Sequence, residues 1–289
     1  MRPQLLLPFG VSLLLLTGCA APRAVLWDGT SMPRWHVDGN FAEIGSVPFA
    51  TIGAVGRSAE DAVHAVASEG DSLNDSATYR RSVRSLVAAS LDMPGANFMT
   101  SIHMGLGGGV EAGYRREGGA NAIDLRWQYM GVQDHGWNGG TAIQYSWASF
   151  DLPSYLGDIQ SLLGYRFERK DVIVPFVFSR PFGENGKYGS FGGSLLCGWT
   201  QVTYGFDPDG LYKRSGVQWE PLEKAPDQTT TYWSFGASAL VRGGYRWVWA
   251  MAGVTATYQN YGTYQVPGTD PISLSGLTLQ PAIGIEFRI

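Results

Sequence analysis

The feature that most constrains this chain is a side-chain alternation of period two that recurs from about residue 97 to the last residue. From Ile102 onward the even positions Met104, Leu106, Val110, Ala112 and Tyr114 are apolar, while His103, Gly105, Gly107, Gly109, Glu111, Gly113 and Arg115 are small or polar. Ile123, Leu125, Trp127 and Tyr129 oppose Asp124, Arg126 and Gln128, and Trp233, Phe235, Ala237, Ala239, Val241 and Tyr245 oppose Ser234, Gly236, Ser238 and Arg242. At the end, Leu277, Leu279, Ile283, Ile285, Phe287 and Ile289 oppose Thr278, Gln280, Gly284, Glu286 and Arg288. Such a pattern places alternate residues on opposite faces of a strand. Further runs at about 142–150, 158–168, 171–180, 188–206 and 247–261 bring the reading to nine strands after residue 97, and a weaker run at about 40–55 supplies a tenth.

One face of each strand is bulky and apolar, and the other is built from Gly, Ser, Ala and scattered charges. Packed inward, the bulky face would overfill the interior of a small barrel. It would also show water a wall of glycine and alanine. Turned outward it meets lipid, and the small polar face fits a narrow lumen. Composition supports that choice. Charged residues are only 16% of the chain, Gly number 39, and Trp and Tyr number 10 and 14. A closed sheet also satisfies every backbone N–H and C=O in a bilayer, which an open one does not. The expected fold is therefore all-β: a closed antiparallel transmembrane β-barrel of about 10 strands (8–10), with Trp233 and Tyr245 at opposite interfaces. No mature segment is apolar for the ~20 residues of a transmembrane helix. A net charge of -4 without a basic block argues against a nucleic-acid partner.

The first residues read as a targeting signal. Arg2 precedes the apolar run Leu5 to Leu16, which is too short to span a bilayer. Leu16-Thr17-Gly18-Cys19 resembles the lipobox of bacterial lipoproteins. The resemblance implies removal of residues 1–18 and acylation of Cys19, with diacylglycerol and an added acyl chain such as palmitate. Ala20 in place of Asp then favours the outer membrane of a two-membrane bacterium. Gly284 to Ile289 resembles the terminal strand signal of outer-membrane barrels, although it ends in Ile rather than Phe. Outer-membrane lipids, the barrel assembly machinery and lipoprotein-processing enzymes are the implied partners, together with an unidentified extracellular one.

The domain reading is a signal peptide over 1–18, a lipid-anchored linker over 19–39 and a barrel over 40–289. A helical insertion over 58–92 interrupts the barrel. Ser58-Ala59-Glu60-Asp61 has the form of a helix N-cap, and a second amphipathic stripe runs from Ser76 to Leu91. It fits a helix on the rim or a plug in the lumen. Counted back from a periplasmic C-terminus, the long connections 131–140, 207–228 and 261–273 fall outside. The tight turns Glu117 to Ala120 and Tyr245 to Trp247 fall inside, with a short turn from Glu168 to Asp171 as the exception.

Candidates for chemistry are few. Asp134-His135 resembles the acid and His residues that omptin-type proteases carry on their outer rim. Ser101-Ile102-His103 resembles the His and Ser of lipid A deacylases, but the alternation turns both polar residues away from lipid. Gly105 to Gly109 lacks the Lys-Ser/Thr of a phosphate loop. Asp207 to Gly210 has no continuing calcium-ligand pattern. With Cys19 acylated, Cys197 stands alone on the lipid face, so neither a disulfide nor a cysteine metal site is expected. No cofactor or metal and no catalytic constellation is expected. The lumen is expected to hold a charge network of Glu111, Arg115, Asp124, Arg126, Arg166, Arg242, Glu286 and Arg288, with Glu168 beside it. Glu111 and Arg115 are expected to approach Glu286 and Arg288 across the closure. The connection 207–228 carries Tyr212, Arg214 and Trp219, residue types enriched in binding hot spots. The leading functional reading is a closed scaffold that displays loops. The alternatives are a narrow channel for small solutes and a hydrolase at the rim.

Overall fold

The computed structural model describes residues 22–49, 52, 87–88, 90–92, 94–131, 136–149, 166–183, 188–206, 225–265 and 271–289. Its strands are β1 (Val37–Pro48), β2 (Gly95–Gly107), β3 (Val110–Glu117), β4 (Ala120–Met130), β5 (Asn138–Ser149), β6 (Arg166–Phe182), β7 (Gly189–Phe206), β8 (Ala225–Tyr245), β9 (Val248–Tyr264) and β10 (Ile272–Arg288). Each strand pairs with its sequence neighbours, and β1 pairs with both β2 and β10, so the sheet closes into a barrel without edges. Closure runs from Asp38 opposite Arg288 to Pro48 opposite Thr278, all antiparallel. A barrel of this kind leaves no row of unpaired backbone groups facing lipid.

The packing is inverted relative to a water-soluble domain. Ile102, Leu125, Ile143, Leu195, Phe235, Val241 and Ile283 are exposed on the outer face. Asn40, Ser101, Gln144, Thr200, Thr257, Gln259 and Gln280 are buried on the inner one. An apolar surface that continues around the whole barrel is the surface of a barrel standing in lipid. Trp233 and Tyr245, both exposed, sit roughly 30 Å apart along the axis once strand rise and tilt are counted. Trp147 and Tyr258 accompany Trp233 at one level, and Tyr129, Trp137, Tyr188 and Trp247 accompany Tyr245 at the other.

Two strand boundaries differ from expectation, in opposite directions. The run from Ile102 to Arg115 is two strands, because Gly107, Gly108 and Gly109 take φ of 95°, 63° and 79° and form a turn. These glycines reverse the chain; a side chain at such φ is strained. Conversely, the turn expected from Glu168 to Asp171 does not exist. β6 runs straight through it, with Lys170 opposite both Trp147 and Gln201. The two differences offset each other in the strand count, but the strands between them exchange direction. The Glu117–Ala120 turn therefore lies at the rim opposite the C-terminus, and the connection 131–137 lies at the C-terminal rim. The strand ends joined by 49–94, 150–165, 207–224 and 265–271 all lie at the opposite rim.

The barrel is taller on one side. β8 has 21 residues and β3 only 8. Above Trp233 the outer face of the tall side becomes polar, with Glu168, Lys170, Thr229 and Thr231 exposed and an Arg166–Asp227 ion pair of 3.0 Å in the open. This is why Arg166 and Glu168, expected in the lumen, point outward. The phase of β6 is set by the continuous strand, and at this height no lipid opposes a charge.

The facing can be checked by substitution. Leu125→Arg and Ala239→Arg, both on the lipid face, are expected to cost about 2–4 kcal/mol near mid-bilayer. Ser238→Asn, on the lumen face, is expected to cost less than half of that. Folded, heat-modifiable protein on electrophoresis reads the difference.

Candidate functional site

The lumen is where the chain departs from a plain barrel. Residues 22–32, expected to form part of a linker, run inside it, residues 33–36 turn at the C-terminal rim, and residues 37–39 already belong to β1. The segment lacks alternation and carries Pro22 and Pro33, and the closed sheet has no edge for it to join. Its backbone groups are therefore satisfied by side chains of the wall, as buried peptide groups must be. Gln144 Nε2 donates to Pro22 O (2.7 Å), and Arg115 Nη1 donates to Ala24 O (2.9 Å). Val25 N donates to Thr255 Oγ1 (3.2 Å), and Ser179 Oγ to Asp28 O (2.5 Å). Ser31 N donates to Gln128 Oε1 (2.8 Å), and Met32 N to the Glu111 carboxylate.

Apolar packing adds two anchors. Trp27 lies in a niche with Ala142 and Val177, and its indole N–H donates to Thr30 O (2.7 Å). Gly140 makes room for the ring: a Cβ there would collide with the indole. Ala24 packs with Ala42, Ile44, Met99 and Ala282. Beside the segment remains a cavity of about 30 Å³ lined by Arg115, Asp124 and Gln144, room for about one water.

Three charge clusters hold the segment and the wall together. Near the C-terminal rim Asp28 meets Arg242 Nη2 (2.6 Å) and accepts from Ser190 Oγ (2.8 Å). Arg242 and Arg288 both pair with Glu286, at 3.1 and 2.6 Å, over the face of Trp249. A second cluster centres on buried His103. Its Nδ1 faces Asp38 (2.9 Å) and its Nε2 faces Asp124 (3.1 Å), so a ring that donates to both is the cationic form. Arg126 pairs with Asp124 (3.2 Å) and Glu111 (3.8 Å) and lies over Trp27. In the third cluster Arg23 lies between Asp92 (3.5 Å) and Asp171 (3.8 Å). Asp92 accepts from Thr278, Gln259, Tyr261 and Ser46. Asp171 is held by Arg169 (3.0 Å) and Thr200 (2.6 Å).

Residues 87, 88 and 90–92 lie buried above this last cluster, with Leu91 O accepting from Arg169 Nη1 (2.6 Å). The described end of the 58–92 insertion thus sits within the lumen, and its remaining residues lie outside the described set. Two non-strand pieces of the chain, one ending at Asp92 and one beginning at Pro22, meet through Arg23.

Of the residues expected in the lumen network, Glu111, Arg115, Asp124, Arg126, Arg242, Glu286 and Arg288 are there, and Arg166 is not. The pairing differs from expectation. Arg115 bonds Glu117 (3.0 Å), and Glu111 faces Arg126 rather than Arg288. The cause is β1, which stands between β2 and β10 and inserts Asp38 at the closure. Sequence reasoning missed Arg23, Asp28, Asp38, Asp92, Arg169 and Asp171. Arg169 and Asp171 share the inward phase of β6 and were hidden by the expected turn; Arg23, Asp28 and Asp92 lie outside any strand. Cys197 lies on the outer face, as expected. Cys19, Asp134, His135, Tyr212, Arg214 and Trp219 lie outside the described residues.

Both nitrogens of His103 are engaged, and Ser101 Oγ accepts from Asn40 Nδ2 (3.1 Å) instead of facing the imidazole. Among the described residues no group of three or more His, Cys, Asp or Glu is arranged to hold a metal ion.

No known protein family matches this chain, and no curated protein matches its sequence. Solved structures with a similar course of chain are bacterial barrels. Ail, the attachment invasion locus protein of Yersinia pestis, is 9% identical with a TM-score of 0.33, over 89% of this chain and 99% of that one. Neisserial surface protein A is 10% identical with a TM-score of 0.32, over 88% and 97%. The outer membrane protease OmpT from Escherichia coli is 8% identical with a TM-score of 0.38, over 88% and 94%.

Burial alone would raise the pKa of Asp28, but Arg242 and Arg288 with the hydroxyls of Thr30 and Ser190 outweigh it and hold the carboxyl at about 2. A carboxyl depressed on folding stabilises the folded state above its unfolded pKa, and that stabilisation is lost as pH falls through the folded value. The barrel is therefore expected to lose about 2 kcal/mol between roughly pH 4 and pH 2 from this group. In Asp28→Asn, denaturant titrations at the two pH values should lack that component.

Proposed function

We propose that this protein is a barrel of the bacterial outer membrane, delivered there as a lipoprotein acylated on Cys19, and that it acts as a closed scaffold. Its activity then resides in the connections at the rim opposite the C-terminus. The observation that carries this reading is the occupied lumen. The Pro22–Met32 segment and the buried residues 87, 88 and 90–92 fill space between wall side chains that already pair with one another. A ten-strand barrel has little interior to spare, so two inserted segments among the described residues favour a closed lumen.

The asymmetry of the connections supports the orientation. Short periplasmic turns and longer extracellular loops are the rule for such barrels. Here the C-terminal rim carries the short links, and the opposite rim carries 49–94, 150–165 and 207–224. The polar, taller β6–β10 side raises that rim above the lipid. Within 207–224, Tyr212, Arg214 and Trp219 have the chemistry of a binding surface for an extracellular partner.

Purified full-length protein in planar bilayers is expected to give no large, stable single-channel current. Deletion of residues 210–225 is expected to leave a folded, heat-modifiable barrel that no longer binds cell-surface or matrix partners captured by the wild type. Sustained conductance would favour a solute channel, and binding that survives the deletion would move the surface to another connection.

A further inference from the structure

The grip on the N-terminal segment has the features of a peptide-binding site. Six wall side chains (Gln144, Arg115, Thr255, Ser179, Gln128 and Glu111) hydrogen-bond the backbone of residues 22–32 from five strands, β3, β4, β5, β6 and β9. That is how a groove holds an extended chain when main-chain pairing with a strand is not available. Three side chains of the segment then fix its register. Arg23 sits between Asp92 and Asp171, Trp27 fills the niche beside Gly140, and Asp28 meets Arg242. None of these contacts lies within the sheet ladder, so the barrel closes without them.

The segment is joined to β1 by a pivot. Pro33, Arg34 and Trp35 are exposed at the C-terminal rim, and Trp35 has φ of 67°, in the left-handed region that a bulky side chain avoids. Trp35 N donates to Gly105 O (2.8 Å), and His36 N to Pro33 O (3.1 Å), so the wall's hold on the lumen segment ends at this turn. Gly29, with φ of 80°, lets the segment's backbone pass close against Gly140 N.

We infer that the lumen from the C-terminal rim up to the Asp92–Asp171 cluster is a binding site for an extended peptide, and that residues 22–32 are its resident, exchangeable ligand. The site selects a basic residue, an aromatic residue four positions on and an acidic residue directly after it. The occupant in the structure is the chain's own segment. The same chemistry accepts that segment offered in trans. This goes beyond the closed-scaffold reading, since it assigns the lumen a ligand instead of mere filling.

The test uses the full chain, with a site-specific protease sequence inserted between Pro33 and Arg34 and cut only after folding. A fluorescent synthetic peptide with the sequence of residues 22–32 is then added, and its anisotropy is followed. Uptake is expected by the cut protein and not by the uncut one, with competition by unlabelled peptide. A peptide carrying Asp28→Lys should bind at least about tenfold more weakly, because a charge-assisted pair becomes a like-charge contact. No uptake by a cut barrel that remains heat-modifiable overturns the inference, as does equal uptake of the Asp28→Lys peptide or of either peptide by uncut protein. Conductance of the uncut protein would instead count against the closed scaffold and leave the binding site to be judged by uptake alone.

Discussion

Everything in this structure follows from the need to satisfy backbone polar groups where water is scarce. Lipid outside the barrel forces the strands to pair around a full circle, and the β1–β10 closure completes it. The same requirement then acts on the inside. Once the sheet is closed it offers no partner to a further length of chain, so residues 22–32 are held by side chains alone. The inward residues that meet it are therefore mostly amides, hydroxyls, guanidiniums and carboxylates, with two apolar niches among them. On the proposed reading the lumen is a set of donors and acceptors fitted to one peptide.

Charge in the lumen is organised around that peptide. Arg23 and Asp28 have opposite signs and lie toward opposite ends of the segment. Each meets a cluster of complementary sign, the carboxylates of Asp92 and Asp171 in one case and the guanidiniums of Arg242 and Arg288 in the other. Buried ions left unpaired are costly. Without the segment each place would lose one of its ion-pair partners. The central His103 cluster differs: its partners Asp38, Asp124 and Arg126 all belong to the wall. It ties β1, β2 and β4 together and reaches the segment only through Arg126 over Trp27 and through Glu111.

Much of the fold was legible because alternation is local. Leu125, Trp127, Val241 and Ile285 announce their facing through their immediate neighbours, and the structure places all four outward. Boundaries were harder to read. Alternation continues in phase across Gly107–Gly109, so nothing in the polarity pattern marks the reversal; only the glycines themselves do. In β6 the charged stretch Glu168 to Asp171 resembled a turn, because charge is a turn signal when the strand is assumed to be in lipid throughout. That assumption fails on the tall side of the barrel. The site was less legible than the fold. Seven lumen charges could be assigned from strand phase, but Asp28 and Arg23 belong to no periodic segment. Their role is fixed by contacts with residues more than a hundred positions away.

The claim on which the account rests is that residues 22–32 occupy the lumen. Hydrogen exchange of full-length protein in lipid nanodiscs measures this directly. The amides of Val25, Ser31 and Met32, each bonded to a lumen side chain, should exchange at least about a thousandfold more slowly than an unstructured peptide. Exchange of these amides at the unprotected rate, while the strand amides of β1 and β10 stay protected, would contradict it.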